Sequence, residues 1–540
     1  MSGYLTERIT LPKHLKYMNY GILKRQLKKV GAVALGLSMA SPGWAEEIVR
    51  PNIVLIYADD VGWGDLGVYG AELIPTPNLD RMAAEGIRFT DAYATAATCT
   101  PSRYSLLTGD YAFRNPRATI LRGDSPALIK PGTPNLASIL QEAGYRTSVV
   151  GKWHLGLGDV EEGLDWNQAI KPGPLEIGFD ESFLLPATND RVPTVYVKGH
   201  YVYNLSEDDD PIRVSYNEKV GDLPTGRTHP ELLRYLADGQ HSGTIIGDIS
   251  RIGFMDGGQS AWWDDETMAY EFAERSVKFI EENQERPFFL FLSMHENHVP
   301  RAPHPDFVGK SQTGLRGDTV VELDWVVGDI MNALERLDLR DDTLIIFTSD
   351  NGPIFFDGYY DGSLEDANGH RPSGPFRGGK YQPFEGGTRM PTIASWPNGI
   401  EAGIVSDAII SQVDFPATLG ALAHSPMSGG AGADGQNLLP ALLGKCLEGR
   451  EHVVQQAVAN TLAIRKGSWK LIPAGEARAW SPHKHNMEGS TTASDRLEPG
   501  PHLFNLDDDP GETTNVAADH PEIVAELTAL LQEIRETPQR

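Results

Sequence analysis

The near-continuous apolar run Asn52–Ala58 leads straight into two carboxylates, Asp59 and Asp60. A run without polar alternation has no face to show to water, so it predicts a strand in a sheet covered on both sides. The pattern recurs three times. Thr147–Val150 is followed by Lys152 and His154, Phe288–Met294 by His295 and His298, and Thr343–Thr348 by Asp350 and Asn351. Helical spacing of apolar residues marks Asn78–Gly86, Asn135–Gly144 and Val320–Leu337. Buried strands alternating with helices predict an α/β sheet with helices on both faces. Ligands of such sheets bind beyond the carboxyl ends of the strands, so four strands bring polar residues to one edge.

Taken singly, each polar pair also fits a turn or a helix cap, and Asp59-Asp60 also fits an Asx-turn with both carboxylates in water. Taken together they describe a site. Asp59, Asp60, Asp350 and Asn351 offer only hard oxygen donors, which suit Ca²⁺, with Mg²⁺ second, rather than zinc. Neighbouring carboxylates raise one another's pKa unless a cation sits between them.

The second signal is Cys99-Thr100-Pro101-Ser102-Arg103, which holds one of the chain's 2 cysteines. Pro101 fits the first turn of a helix, and Arg103 lies one turn along from Cys99, so the two side chains can face one anion site. This pentapeptide resembles the signature of the type I, formylglycine-dependent sulfatases of the alkaline phosphatase superfamily. So, in family order, do Asp59-Asp60-x-Gly62-Trp63-Gly64-Asp65, Thr76-Pro77-Asn78-Leu79-Asp80, Gly151-Lys152-Trp153-His154-Leu155-Gly156, Ser349-Asp350-Asn351-Gly352 and Gly379-Lys380. Ala463–Leu471 and Leu503–Glu512, which ends Asp509-Pro510-Gly511-Glu512, resemble the family's C-terminal part. The likeness runs from about residue 50 to about residue 520.

The resemblance implies an alkaline-phosphatase-like sandwich: a large mixed central sheet flanked by helices, plus a small C-terminal α+β part with a four-stranded antiparallel sheet. It implies that Cys99 is converted to formylglycine by a formylglycine-generating or anaerobic maturation enzyme. A hydroxyl of the aldehyde hydrate attacks the sulfur of a sulfate ester, with Asp350 taking its proton. Asp59, Asp60, Asp350 and Asn351 hold calcium. Arg103, Lys152 and Lys380 neutralise the sulfuryl oxygens, His298 and Lys380 serve the leaving oxygen, and His154 takes the proton of the second hydroxyl. His298-Val299-Pro300 matches the family's His-x-Pro turn, so His298 is preferred over His295.

The same resemblance points to a sulfated carbohydrate of the galactose or N-acetylgalactosamine type, 6-O-sulfate included. Asp190, Arg191, His295, Arg301, His370 and Arg371 are candidate substrate contacts, each also readable as an ordinary packed or solvated polar residue. Two alternatives stay open: a formylglycine-dependent phosphodiester or phosphonate monoester hydrolase, and a glycan-binding pseudo-enzyme. Cys446 has no motif around it, and in an exported chain it also fits a disulfide with Cys99.

The formal charge of −27 argues against nucleic acid as a partner. Lys24, Arg25, Lys28 and Lys29 precede the apolar run Val30–Ala40, and small residues end at Ala45. This predicts a signal peptide over 1–45, with a true start at Met18 also plausible, cleavage after Ala45, and a periplasmic or secreted protein with no membrane anchor. The catalytic part is expected over 46–430, with an insertion at Leu185–Trp263 shaping the substrate mouth. A Gly/Ala-rich linker at Gly429–Gly435 leads to a C-terminal part over 431–540.

Overall fold

The computed structural model describes residues 50–159, 163–427, 432–458, 461–474 and 499–537. The signal segment therefore lies outside the described residues. Each of the four apolar runs is a strand: Asn52–Ala58, Arg146–Lys152, Phe288–Ser293 and Thr343–Ser349. They sit in the middle of a ten-stranded sheet. Asn52–Ala58 pairs in parallel with Phe288–Ser293 on one side and Thr343–Ser349 on the other. Arg146–Lys152 and Glu181–Leu185 extend the parallel block. Antiparallel pairings then begin on each flank, at Thr392–Ser395 and at Val197–Lys198, so the sheet is mixed.

Side chains of a strand alternate between faces, and here both faces are covered. Ile53, Leu55 and Tyr57 enter one core with Leu106, Leu136 and Leu419. Val54, Ile56 and Ala58 enter the other with Met82, Phe272 and Val327. Helices Cys99–Thr108, Leu136–Glu142 and Phe415–Leu422 thus cover one side, and Pro77–Ala84, Met268–Glu282 and Gly314–Arg336 the other. Asn135 caps its helix by accepting from the Ala137 and Ser138 amides.

A second, four-stranded antiparallel sheet follows in the order His452–Gln456, Leu462–Lys466, Trp469–Ile472, His502–Asn505. Gly467, at φ +55°, makes the tight turn between Leu462–Lys466 and Trp469–Ile472. Helix Pro521–Glu536 packs Leu527 and Leu531 on this sheet. The described part of the expected linker is tied down, with Asp434 paired to Arg114 at 2.7 Å. Residues 50–540 fall in one compact unit. The insertion adds two short strands to the main sheet and two small hairpin-like pairings, Arg213–Ser215 with Phe254–Asp256 and Ile245–Ile246 with Ile249–Ser250.

Candidate active site

The carboxyl ends of the four central strands converge as their sequence pattern predicts. Asp59 and Asp60 leave the Asn52–Ala58 strand, and Asp60 turns away at φ 58°. Asp350 and Asn351 follow the neighbouring strand, and the Asp60 amide donates to Asp350 Oδ1 at 3.3 Å. Lys152 is the last residue of its own strand, which runs two residues further than the apolar run suggested. Cys99 opens the helix Cys99–Thr108, and its buried thiol shares a cluster with a carboxylate oxygen of Asp59 and a ring nitrogen of His298, all within 4.8 Å of one another. Cys99 and Cys446 are both free thiols, so the disulfide reading is excluded.

Three carboxylates face three cations in this buried pocket. Arg103 Nε donates to Asp350 Oδ2 at 2.9 Å, Lys152 pairs with Asp59, and Lys380 Nζ donates to Asp60 Oδ2 at 2.8 Å. Asp59, Asp60 and Asp350 each bring an oxygen to one point, within 4.8 Å of one another. The buried Asp59 Oδ1 and Asn351 Oδ1 have no hydrogen-bond partner. Burial, and Asp350 next to it, push Asp59 well above the usual carboxylate range, and burial raises Asp60 too. Orphaned hard oxygens under this repulsion fit a divalent cation. With one bound, the pocket carries net positive charge, as a sulfate monoester requires.

Burial pushes the Cys99 thiol up to about 12, against the pull of Lys152 and Lys380. The unmodified thiol is therefore a poor nucleophile near neutral pH. His154 is held neutral by burial and by Lys152 and Arg191. Its Nε2 lies 2.9 Å from the Leu121 carbonyl and so carries the proton, which leaves Nδ1 unpartnered and able to accept one. His298 is also held neutral, by burial and then by Lys380 and Lys152, and its Nδ1 donates to the Val299 carbonyl at 2.6 Å. Lys380 keeps its proton: burial opposes the charge, but Asp357 and Asp60 outweigh it.

The six candidate substrate contacts divide. Asp190 and Arg191, paired at 2.8 Å, sit close enough to the centre that Arg191 acts on His154 and Cys99, and Asp190 on His298. Arg301 is not a sugar contact. Its guanidinium is wholly buried and committed to Asp361 at 2.8 Å, Ser363 and the Asn297, Ile354 and Phe355 carbonyls. His370 is likewise committed to Asp65, 2.8 Å away, which also holds Arg316. His295 packs edge-on to Phe272 and faces Glu296 at 3.2 Å. Arg371 is exposed. Sequence reasoning missed two residues. His241 bridges Asp190 and Asp238, and Asp357 accepts from Lys380 Nζ at 2.9 Å. Both lie in loop segments without a motif or a period to mark them.

The comparisons agree with this geometry. A family model described as Sulfatase matches residues 51–425. The chain is 48% identical over 489 residues to N-acetylgalactosamine-6-O-sulfatase of Bacteroides thetaiotaomicron, covering 90% of this chain and 93% of that one. It is 32% identical over 518 residues to human arylsulfatase A, covering 92% and 89%. A solved Bacteroides thetaiotaomicron structure, described under the metabolism of multiple glycosaminoglycans, superposes with a TM-score of 0.86 at 47% identity, covering 91% of this chain and 100% of that chain. With carboxylates, cations and a buried Cys99 gathered at the strand ends and relatives matched over nine-tenths of its length, the chain belongs to the sulfatase family and is a sulfuric ester hydrolase.

Proposed function

We propose that the protein is an exported sulfatase that removes 6-O-sulfate from N-acetylgalactosamine or galactose units of a sulfated carbohydrate. The observation that carries the chemistry is the seating of Cys99 against Asp59 and His298 at the head of a helix whose Arg103 faces the same pocket. The match to an N-acetylgalactosamine-6-O-sulfatase over nine-tenths of both chains supports the sugar and the position. Formylglycine at residue 99 would supply a hydrated aldehyde as nucleophile, and Asp59, Asp60, Asp350 and Asn351 would hold a calcium ion that would supply Lewis-acid charge.

The chain's own side chains do the rest. Arg103, Lys152 and Lys380 take up charge on the sulfuryl oxygens, as preorganised donors in a dry site. Asp350 stays an anion, since Arg103, Lys152 and Lys380 together outweigh the effect of burial, and it can accept a proton. His154 accepts another at Nδ1. Lys380 holds the proton that a sugar oxygen needs on leaving. His298 has Nε2 free of its Val299 hydrogen bond and becomes a donor once the anionic substrate favours its charged form. Asp190 and Arg191, braced by His241, are placed to read the sugar hydroxyls.

A panel of defined sulfated sugars tests the reading. N-acetylgalactosamine 6-sulfate should turn over at least about tenfold faster than the 4-sulfate, since a site built around one hydroxyl position rejects the other. Equal rates would remove the positional assignment. A nitrophenyl phosphonate monoester outpacing every sulfate ester would replace the sulfatase with a phosphonate hydrolase. N-terminal sequencing of exported protein should begin at Glu46.

A further inference from the structure

Lys470 is the least expected charge in the molecule. It lies in the strand Trp469–Ile472 of the C-terminal sheet, and its side chain is wholly buried. Its Nζ stands 3.0 Å from Glu385 Oε1 and 3.0 Å from Glu512 Oε1. Glu512 is buried as well, and its Oε2 accepts the Glu385 amide at 2.6 Å. Gln455, also from the C-terminal sheet, donates to Glu385 Oε1 at 2.9 Å and to Thr388 Oγ1 at 2.8 Å. The Val458 amide donates to the Tyr381 carbonyl at 3.1 Å, and Arg377 donates to the Glu512 carbonyl at 2.9 Å. One loop, residues 377–388, is therefore gripped from the C-terminal side at Arg377, Tyr381, Glu385 and Thr388. Lys380 sits between the first two grips.

The other side of this loop touches the reacting groups. The Tyr381 amide donates to the Ala97 carbonyl at 2.6 Å, two residues before Cys99. The Gly352 amide, next to Asn351, donates to the Gly387 carbonyl at 2.9 Å, and the Lys380 amide to the Pro353 carbonyl at 3.0 Å. At Gly387 a Cβ would stand 2.3 Å from the Gln382 carbonyl oxygen and 3.1 Å from Ala97 Cβ, so the loop packs without slack on the segment that leads into Cys99. Buried ion pairs are a weak source of net stability, because apolar residues of similar volume often do as well. What such a pair does supply is a fixed geometry.

We propose that the C-terminal sheet is a clamp on the catalytic loop, and that Lys470 is a positioning residue which, through Glu385 and Glu512, fixes Lys380 against the sulfate ester. This rests on the reading of Lys380 as a group that touches the ester. The test compares Lys470→Met with the unaltered chain, and repeats the comparison in a Lys380→Ala background, on N-acetylgalactosamine 6-sulfate. Rates are normalised to folded protein by circular dichroism and to formylglycine content by peptide mass spectrometry. Because Lys470→Met leaves the buried Glu512 without its cation, while Arg389 and Gln455 still hold Glu385, Glu512→Gln is run beside it; its amide oxygen still accepts the Glu385 N–H. Misplacing a reacting group by about 1 Å costs on the order of 100-fold, so kcat should fall about 10- to 100-fold in the unaltered background, with KM changing far less. In the Lys380→Ala background the same substitutions should cost less than about twofold, the non-additivity of residues acting as one unit. Equal losses in both backgrounds, or undiminished kcat in folded variants, would overturn the clamp while leaving Lys380 in its role. Full activity of Lys380→Ala alone would overturn the role of Lys380 and the clamp with it.

Discussion

Replacing His241 by Gln should remove a pH-dependent share of the protein's stability. His241 lies between two carboxylates, with Nδ1 2.8 Å from Asp238 Oδ1 and Nε2 3.4 Å from Asp190 Oδ2, and the Tyr359 ring packs against it at 4.9 Å. Burial works to lower its pKa, but hydrogen bonds to Asp190 and Asp238 outweigh that and raise it to about 9. Asp190 stays charged throughout, because Arg191 and His241 overcome its burial. An unfolded histidine titrates near 6.5, so a folded value of about 9 is worth about 3 kcal/mol. The folded pKa is the higher one. The stabilisation is therefore complete below about pH 6.5 and is lost as pH rises through about 9. Urea unfolding of the wild-type protein and His241→Gln at about pH 6 and about pH 10 reads it directly, and the gap between them should narrow by about 3 kcal/mol over that range. A gap that stays constant, or widens with pH, would show that His241 is neutral in the folded protein and that the two carboxylates are held by something else.

Residue 99 should be formylglycine in active protein: the peptide mass should show sulfur lost and an aldehyde oxygen gained, and Cys99→Ala should fold without turning over. Protein purified without added metal should contain calcium, or magnesium as second choice, by elemental analysis; stoichiometric zinc required for activity would refute the oxygen-donor argument. His298→Ala should slow release of a sugar alkoxide by about 10²- to 10⁴-fold but release of nitrophenolate much less, since only the poor leaving group needs the proton. Equal losses on both substrates would pass the acid role to Lys380. Arg301→Met should leave KM unchanged in whatever protein folds, yet cost about 3–5 kcal/mol in unfolding experiments, because it strands the buried Asp361.

The centre of this molecule was legible because burial on both faces writes a plain pattern. Ile53–Ala58 is apolar throughout and the middles of its partner strands are too, so strands, order of layers and site edge could be read together. Asp59, Asp60, Asp350 and Lys152 were legible for the same reason, standing at or immediately beyond the ends of strands that could be located. Loop residues were not. Arg301 and His370 lie in stretches rich in charge and turn residues, where a cation bound for a sugar and one bound for an internal carboxylate look alike in sequence. Only coordinates reveal Asp361 and Asp65 waiting for them. Lys470 and Glu512 lie in recognisable blocks, but their meeting point on Glu385 depends on a packing of the C-terminal sheet against residues 377–388 that no local pattern encodes.

The strand order carries a consequence for how the chain is made. Among the described residues Asn52–Ala58 is the first strand in sequence, yet its two neighbours are residues 288–293 and 343–349. Contacts so distant in sequence cost little in final stability but delay closure. Until residue 293 has emerged, the chain carries an unpaired apolar strand with both edges open, and until residue 349 one edge stays open, the feature that invites aggregation. Asp59 and Asp350 first meet when that strand is enclosed, so the catalytic centre and the middle of the sheet are born in one late event, and a polypeptide truncated short of residue 349 should be sticky as well as inactive.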